Sequence, residues 1–266
     1  MPRRITQSQK REIITQIFDE LKNETPNSNV LPFDNDRVKD VSRKKFSNQF
    51  DATKFDSESL LPEKLRKEGY FILHLGKGKH AFVKGKGYHT FEPIKIKIPW
   101  KATPSIIAKL GESEASTSSE LFNSKIIHNF LELDKNDYLN LQVHTGRRTR
   151  VSYDFIVDPD IKLEADKLQI ETDAFFETLD ELITVEVKNV EHEDFEIRQL
   201  FSAMKYMEQK VEEQIIPIKY KIRHLFVVRF KKDNRCFFHI YEYKFKDNKR
   251  LNSIELIKNT EYVIDI

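Results

Sequence analysis

The apolar positions of the first part of the chain recur with the period of a helix. Over residues 9–24 the apolar residues fall on one face, which carries Ile13, Ile14, Ile17, Phe18 and Leu21. The polar segment from Asn23 to Pro26 predicts the end of this helix. Similar spacing over residues 37–50 and 60–68 predicts two shorter helices. The N-terminal part is therefore expected to be mainly helical.

Residues 70–84 have the pattern of a β-hairpin. Two apolar runs, residues 70–75 and 80–84, flank the turn sequence Gly76-Lys77-Gly78-Lys79. Helices followed by a basic hairpin predict a winged-helix-like region, in which a helix enters the major groove of DNA and the wing contacts the backbone. The same order of elements is also found in protein-interaction domains. No Gly-Lys-Ser/Thr sequence ends the glycine-rich turn, so we expect no nucleotide cofactor.

The rest of the chain alternates between extended and helical patterns. Residues 94–98 predict a half-exposed strand, and residues 102–119, with Pro104, Gly111 and a Ser/Thr/Glu run, predict a linker. One helix is expected from Ser118 or Ser119, with Glu120 in its first turn and its apolar residues continuing to Phe130. A second helix is expected over residues 194–212. Strands are predicted at residues 138–145, 149–157, 167–177, 182–189, 221–231 and 235–245. This order predicts an α/β (α+β) fold with a mixed sheet.

Composition narrows the class of protein. The 266 residues are 39% hydrophobic and 33% charged, with only 7 glycines, which excludes a collagenous or disordered chain. The single Cys236 excludes an internal disulfide. No apolar run reaches the roughly 20 residues of a membrane span, and the N-terminus lacks the apolar centre of a secretory signal. We therefore expect a cytoplasmic protein without a membrane partner.

The net charge of +2 conceals two halves of opposite sign. Residues 1–110 contain 22 Lys and Arg against 13 Asp and Glu, whereas residues 111–266 contain 23 against 30. A basic half suits a polyanion such as nucleic acid, while an acidic half either solvates its surface or concentrates carboxylates around a cation. We predict a basic DNA-binding region at residues 1–110 and a second domain at residues 111–266.

Two neighbouring predicted strands carry the most informative motif. The first contains Ile170-Glu171-Thr172-Asp173 and the second Thr184-Val185-Glu186-Val187-Lys188. Because strand side chains alternate, Glu186 and Lys188 share a face opposite to the valines. Hydrolysis of a phosphodiester with a divalent cation needs carboxylates for the ion and a group beside the attacking water, which Asp173, Glu186 and Lys188 supply. The alternative interpretation is an ordinary amphipathic strand with a solvated polar face, since Glu-x-Lys is a common tripeptide.

The order of elements around this motif resembles the PD-(D/E)xK nuclease superfamily. It comprises an upstream helix, an Asp 13 positions before the Glu, Glu-x-Lys on an apolar strand, then a helix and a final pair of strands. Two segments also look like a group of type II restriction endonucleases: FILHLGKGKHAFVKGKGY at residues 71–88 and FEIRQLFSAMKYM at residues 195–207. Thr172 stands where the family name has Pro. The resemblance implies a restriction-endonuclease-like mixed-sheet core flanked by helices over residues 111–266.

The resemblance also implies roles for individual residues. Asp173 and Glu186 would bind Mg²⁺, with Mn²⁺ able to substitute, the carbonyl of Val187 would add a ligand, and Lys188 would position or activate the water. Glu120 matches an accessory position, although compensation of the helix dipole explains it equally well. Glu171 is a substitute ligand, because it shares the strand face of Asp173. Gln199 and Tyr206, seven residues apart on one helix, are candidates for contact with the scissile backbone or for core packing.

Two groups of basic residues are candidates for DNA binding. One is in the hairpin segment and comprises Lys77, Lys79, Lys84 and Lys86; the other surrounds Gly146 at a predicted turn and comprises Arg147, Arg148 and Arg150. Such side chains contact phosphates, and arginines also pair with guanine edges. Both groups have an alternative explanation as solvated turns.

The function that these expectations favour is a Mg²⁺-dependent, sequence-specific, double-stranded DNA endonuclease of the type II restriction kind. A repair, transposition or junction-resolving nuclease is the alternative enzyme, and a non-catalytic winged-helix regulator is the alternative without activity. A palindromic target would favour a homodimer. The predicted helix at residues 194–212 offers an interface, or else a core-packing face, formed by Phe195, Phe201, Met204, Tyr206 and Met207.

Overall fold

The computed structural model describes residues 5–42, 49–103 and 113–265. Half of the predicted linker, residues 104–112, and part of the second predicted helix, residues 43–48, lie outside the described residues. Helices and strands combine in a mixed α+β fold, as the pattern predicted. None of the helices in the described ranges is long and apolar enough to cross a membrane.

The N-terminal part combines helices with a small antiparallel sheet. Helix α1 begins after Thr6, whose side chain forms a capping box with Gln9, and it buries Ile14, Ile17 and Phe18. The elements in chain order are α1 (Gln7–Glu24), β1 (Val30–Asp34), α2 (Asn35–Val41), α3 (Gln49–Thr53), α4 (Glu63–Glu68), β2 (Tyr70–Gly76) and β3 (Lys79–Lys84). Strand β3 lies between β1 and β2. The predicted hairpin is confirmed, and β1 was not predicted because Pro32 interrupts it, which only an edge strand tolerates.

The larger part of the chain forms a seven-stranded mixed sheet. Its elements are β5 (Lys97–Pro99), α5 (Glu114–Asn123), α6 (Ile126–Leu131), α7 (Lys135–Asn140), β6 (Gln142–Val157), β7 (Ile161–Glu177), β8 (Glu181–Lys188), α8 (Arg198–Glu212), β10 (Lys221–Lys232), β11 (Arg235–Phe245) and β12 (Ile254–Asp265). Two short strands, β4 (Tyr88–Thr90) and β9 (Asp194–Glu196), pair separately. The strand order in the large sheet is β5-β12-β11-β10-β8-β7-β6.

The sheet is mixed because it contains two parallel pairs, β5–β12 and β8–β10, among antiparallel ones. Strands β8 and β10 are parallel, and α8 lies between them in the chain, as a parallel pair requires. Strands β7 and β8, like β10 and β11, are antiparallel. Strand β8 therefore lies inside the sheet, with hydrogen-bonded neighbours on both sides.

Two main apolar clusters hold the fold together. The first joins α1, β2 and β3 to β6, β7 and α8, so the N-terminal part packs directly on the large sheet. The second lies between the sheet and helices α5 and α6, and it includes Val185 and Val187 of β8. The apolar face of β8 is therefore fixed in the core, which leaves its other face for polar side chains.

The turn predicted at Gly146 was wrong. Residues 142–157 form the single long strand β6, and the chain reverses at residues 158–160 instead. Glycine is required here for a close approach between strands, since a Cβ on Gly146 would lie 2.0 Å from the carbonyl oxygen of Thr172. The three neighbouring arginines therefore lie along an edge strand.

The predicted start of one helix also needs correction. Helix α5 begins at Glu114 with Ser113 as its N-cap, so Glu114 and not Glu120 occupies the first turn. The predicted start near Ser118 missed the capping pair formed by Ser113 and Ser116.

The apolar residues around α8 do not offer a free surface. Phe195 on β9 and Phe201, Met204 and Met207 on α8 are buried, and Tyr206 is partly buried against the first cluster. The core-packing interpretation of this set is therefore correct, and the proposed dimer interface on α8 was wrong. Dimerisation itself stays a prediction.

Candidate functional site

Strands β7 and β8 bring the motif carboxylates to neighbouring positions. The pairs Phe175–Thr184 and Ala174–Val185 lie opposite each other in the antiparallel ladder. Continuing this register by one residue puts Asp173 opposite Glu186, and cross-strand partners have Cβ atoms about 5 Å apart. On β10, Phe226 and Val228 lie beside Glu186 and Lys188. The predicted sharing of one sheet face by the charged residues therefore follows from the register.

The polar face of β8 is covered. Thr184 is 1% exposed and Glu186 is 8% exposed, whereas a solvated strand face would leave both open. Helix α8 lies over it, because the Gln199 amide nitrogen donates to Glu186 Oε1 at 2.5 Å. The interpretation of β8 as an ordinary amphipathic strand with a solvated face is therefore wrong.

Each charged group of the site has a hydrogen-bond partner within it. Lys188 Nζ donates to Glu186 Oε1 at 2.6 Å, and the Val187 amide donates to Asp173 Oδ2 at 2.7 Å. Lys188 also lies 3.6 Å from Glu114 at the start of α5. The Thr117 hydroxyl donates to Asn189 at 2.9 Å and fixes α5 beside the end of β8. Elements far apart in sequence therefore hold one compact cluster.

The cluster has an excess of buried negative charge. Burial, together with the neighbouring Glu186, raises the pKa of Asp173 to about 7, against the opposing effect of the Val187 amide. Burial also raises the pKa of Glu186, although Lys188 opposes this. Burial acts to lower the pKa of Lys188, but Glu186 and Glu114 outweigh it and the pKa ends above its usual value. Lys188 therefore stays protonated at neutral pH while the carboxylates repel each other.

A hard divalent cation is the group that this arrangement fits. Asp173 and Glu186 are both disfavoured as anions by burial, and a bound cation would remove that penalty. Mg²⁺ is commonly held by one or two carboxylates with water and phosphate oxygens completing its shell. The described residues contain no group of three His, Cys, Asp or Glu side chains arranged around a metal position. Asp173 and Glu186 could hold such an ion between them, with waters and other oxygen ligands completing its shell.

The accessory residues predicted from sequence have separate places. Gln199 joins the cluster through Glu186. Glu120 instead accepts from Arg229 at 2.9 Å, and Glu171, further along β7, accepts from Arg148 at 3.0 Å. Sequence analysis missed Glu114, although the capping sequence at Ser113 would have placed it in the first turn of the helix.

Some of the basic residues predicted to bind DNA meet in one cleft. The cleft has a volume of about 720 Å³ and lies between the β2–β3 hairpin and strands β6 and β7. Its predicted members are Lys77 and Lys79 from the hairpin and Arg148 and Arg150 from β6. Lys54 and Lys167, which sequence analysis did not select, also line it. The two groups of basic residues, about 70 positions apart in sequence, are therefore parts of one surface.

The remaining predicted basic residues lie elsewhere. Lys84 ends β3 at the opposite end from Lys79, and the Lys86 carbonyl accepts a hydrogen bond from Asn252. Arg147 is opposite the buried Thr172 in the ladder, whereas Arg148 is opposite the exposed Glu171. Because side chains alternate along β6, Arg147 projects from the other face. These three residues do not line the cleft.

Two segments of the chain match known protein families by sequence. Residues 79–263 match the family described as Domain of unknown function (DUF6997), and residues 11–82 match Domain of unknown function (DUF6996). The two matches meet within β3 of the hairpin, whereas sequence analysis predicts the boundary at residue 110. Neither a curated protein nor a solved structure matches the chain.

Proposed function

The chain belongs to the DUF6997 family, and from its site we propose that it is a Mg²⁺-dependent, sequence-specific endonuclease of the type II restriction kind, acting on double-stranded DNA. The observation that carries the proposal is the pair formed by the half-buried Asp173 and the buried Glu186 beside a protonated Lys188, whose Nζ donates to Glu186. A cluster of carboxylates and a lysine with perturbed pKa values supports a reactive site.

The residues have distinct tasks in the proposed reaction. Asp173 and Glu186 would hold Mg²⁺, with Mn²⁺ as a substitute, and the ion would polarise the phosphate and lower the pKa of a bound water. Lys188 retains its proton because of Glu186 and Glu114, so it acts as a hydrogen-bond donor that orients the water and stabilises negative charge, and not as the base. Gln199 fixes the Glu186 carboxylate. Val187 fixes Asp173 through its amide, and its carbonyl is a proposed ligand.

The finer fold assignments belong to the same proposal. The helix, strand, helices and hairpin of residues 7–84, with β3 between β1 and β2, support a winged-helix-like region. The sequence of helix α5, strands β6 to β8, helix α8 and strands β10 and β11 supports a restriction-endonuclease-like core. By the same resemblance, we propose a homodimer that cuts both strands of a palindromic site.

Incubation of plasmid and phage DNA with the protein tests the proposal. Discrete fragments are expected with Mg²⁺ or Mn²⁺, and none in EDTA. Fragments without discrete ends would favour a repair or junction-resolving nuclease over a restriction enzyme. Binding to one DNA sequence without any cleavage, in both metals, would contradict the enzyme proposal and favour a regulator.

A matched pair of variants assigns the activity to the site. Asp173→Asn keeps an acceptor for the Val187 amide but removes the charge that would hold the ion, so cleavage should fall by at least about 10³-fold. Glu164→Gln, on the exposed side of the same strand, should cut like the wild type. Equal activity of the two variants would remove Asp173 from the mechanism.

A further inference from the structure

We infer that the cleft between the β2–β3 hairpin and strands β6 and β7 binds the phosphate backbone of duplex DNA and leads it to the Asp173–Glu186 site. The inference rests on the proposed function for its substrate, and it adds a binding surface that neither of the two matched segments contains alone. The cleft is defined by its basic residues, which are Lys54, Lys77, Lys79, Arg148, Arg150 and Lys167.

The charge of the cleft favours a polyanion. Six basic side chains line it against two acidic ones, Asp51 and Glu171. The buried histidines of its floor add no charge at neutral pH, because burial lowers the pKa of His80 to about 4 and lowers that of His74 as well. Three of the six basic groups are partly neutralised by ion pairs, Arg148 with Glu171, Lys77 with Asp166 and Lys54 with Asp56. The remaining excess of positive charge matches a row of phosphates and would repel a metal ion or a cationic ligand.

The two walls of the cleft are fixed to each other. Gly76 touches strand β7, since a Cβ at this position would lie 2.1 Å from the Asp166 carbonyl oxygen. Lys77 pairs with the Asp166 carboxylate at 2.5 Å, and the Lys167 amide donates to Ser152 across the bulge between β6 and β7. The positions of the basic groups are therefore set before any ligand binds, which lowers the entropic cost of binding.

The walls come from different parts of the chain. Lys54 and Lys77 belong to the segment that matches DUF6996, and Arg148, Arg150 and Lys167 belong to the segment that matches DUF6997. Lys79 lies where the two matches overlap. Because each segment supplies one wall, the cleft exists only where the two segments pack together.

Strand β7 connects the cleft to the candidate site. Glu171 lines the cleft, and Asp173 lies two residues further along β7, on the same strand face. A backbone lying along Arg150, Lys79 and Lys54 would therefore come close to Asp173 at the Glu171 end of the cleft. The same approach leaves Lys84, Lys86 and Arg147 away from the bound strand.

The test measures binding of a fluorescent DNA duplex by anisotropy in Ca²⁺, without cleavage, over a range of salt concentrations. Lys77→Gln/Lys79→Gln should weaken binding by about tenfold at 0.15 M salt. The slope of the logarithm of the association constant against the logarithm of the salt concentration should become shallower by about 1.8, the value for two lost phosphate contacts. Arg150→Gln, on the other wall, should make it shallower by about 0.9. Lys244→Gln/Lys246→Gln is the control with the same change of charge and should bind like the wild type. These two exposed lysines lie at and just after the end of β11, where both contact Glu255.

Two comparisons decide between the cleft and other surfaces. Lys84→Gln/Lys86→Gln should lose less affinity than Lys77→Gln/Lys79→Gln; an equal or larger loss would mean that DNA follows the outside of the hairpin and would overturn the inference. Thermal denaturation identifies any variant that is unfolded. If the hairpin variant is unfolded, the affinity of Arg150→Gln, on β6, tests by itself whether the cleft binds DNA. Equally tight binding of an RNA duplex through the same lysines would overturn the assignment to DNA.

The outcomes separate this inference from the proposed nuclease. Wild-type affinity of both cleft variants, with cleavage that still depends on Asp173, would overturn the cleft and leave the nuclease proposal in place. Loss of affinity in the cleft variants, with no cleavage by the wild type in Mg²⁺ or Mn²⁺, would support the cleft and contradict the nuclease.

Discussion

The half-buried carboxylate of Asp173 is predicted to destabilise the metal-free protein, so its replacement by Asn should be stabilising. Burial and Glu186 raise the pKa of Asp173 from 3.8 to about 7. A raised pKa means that the folded state disfavours the charged carboxylate, and this penalty grows as the pH rises from the unfolded to the folded pKa. A shift of about three units corresponds to at most about 4 kcal/mol at pH 8 and about 1.5 kcal/mol at pH 5.

Urea unfolding in EDTA at pH 5 and pH 8 measures this effect. Asp173→Asn should unfold at a higher urea concentration than the wild type, by a margin that is larger at pH 8, without a change in the slope m. Asp166→Asn is the matched control on the same strand: Lys77 lowers the pKa of Asp166, so this replacement should not be stabilising at pH 8.

Divalent cations should reduce the stability advantage of Asp173→Asn over the wild type. A cation that binds only the folded wild type at 100 times its Kd adds about 2.7 kcal/mol to the free energy of unfolding. Asp173→Asn should gain less, because it has lost a ligand. A variant that is less stable than the wild type at pH 8 in EDTA would refute the assignment of buried, repelling charge to this position.

Three further predictions concern the metal, the hairpin and assembly. Ca²⁺ should support DNA binding without cleavage, because it binds phosphate oxygens but has a looser geometry and polarises water only weakly. Anisotropy and gel assays with the same duplex check this, and fast cleavage in Ca²⁺ would contradict it. Gly76→Ala should lower the melting temperature more than Gly69→Ala, because both positions have positive φ but only Gly76 would place its Cβ 2.1 Å from a backbone oxygen. Light scattering with target DNA should give a protein mass near twice 31.6 kDa; a monomer that still breaks both strands would exclude the dimer.

The sequence predicted those parts of the fold in which local pattern and tertiary environment agree. The period of α1 and the apolar residues of the β2–β3 hairpin reappear in the core. Strand β8 was predicted because its valines alternate with polar residues, and the structure buries both sets. The pattern alone distinguished the two faces of β8 but not whether the polar face was covered, because α8 supplies that cover from the next segment of the chain.

Predictions failed where a residue serves a contact distant in sequence. Gly146 has the local signature of a turn, but its function is to admit the backbone of β7 next to Asp173. Helices α5 and α6 were predicted as one, since their apolar residues keep a common period across the break at Lys125, which has φ of 64°. The basic cleft could not be predicted, because it depends on how the hairpin packs against β7.

Single-turnover cleavage by variants of the two site carboxylates tests the central claim most directly. Asp173→Asn, Glu186→Gln and the double variant are compared with the wild type on one DNA duplex, at saturating protein and Mg²⁺. If both carboxylates hold one ion, each single change should reduce the cleavage rate by at least about 10³-fold. The double variant should cut no more slowly than the slower single variant, because the effects of residues that act as a unit on the rate are not additive. DNA affinity in Ca²⁺, which depends mainly on the cleft, should stay within about tenfold of the wild type. Cleavage at near wild-type rate by either single variant would contradict the claim that Asp173 and Glu186 form the catalytic centre.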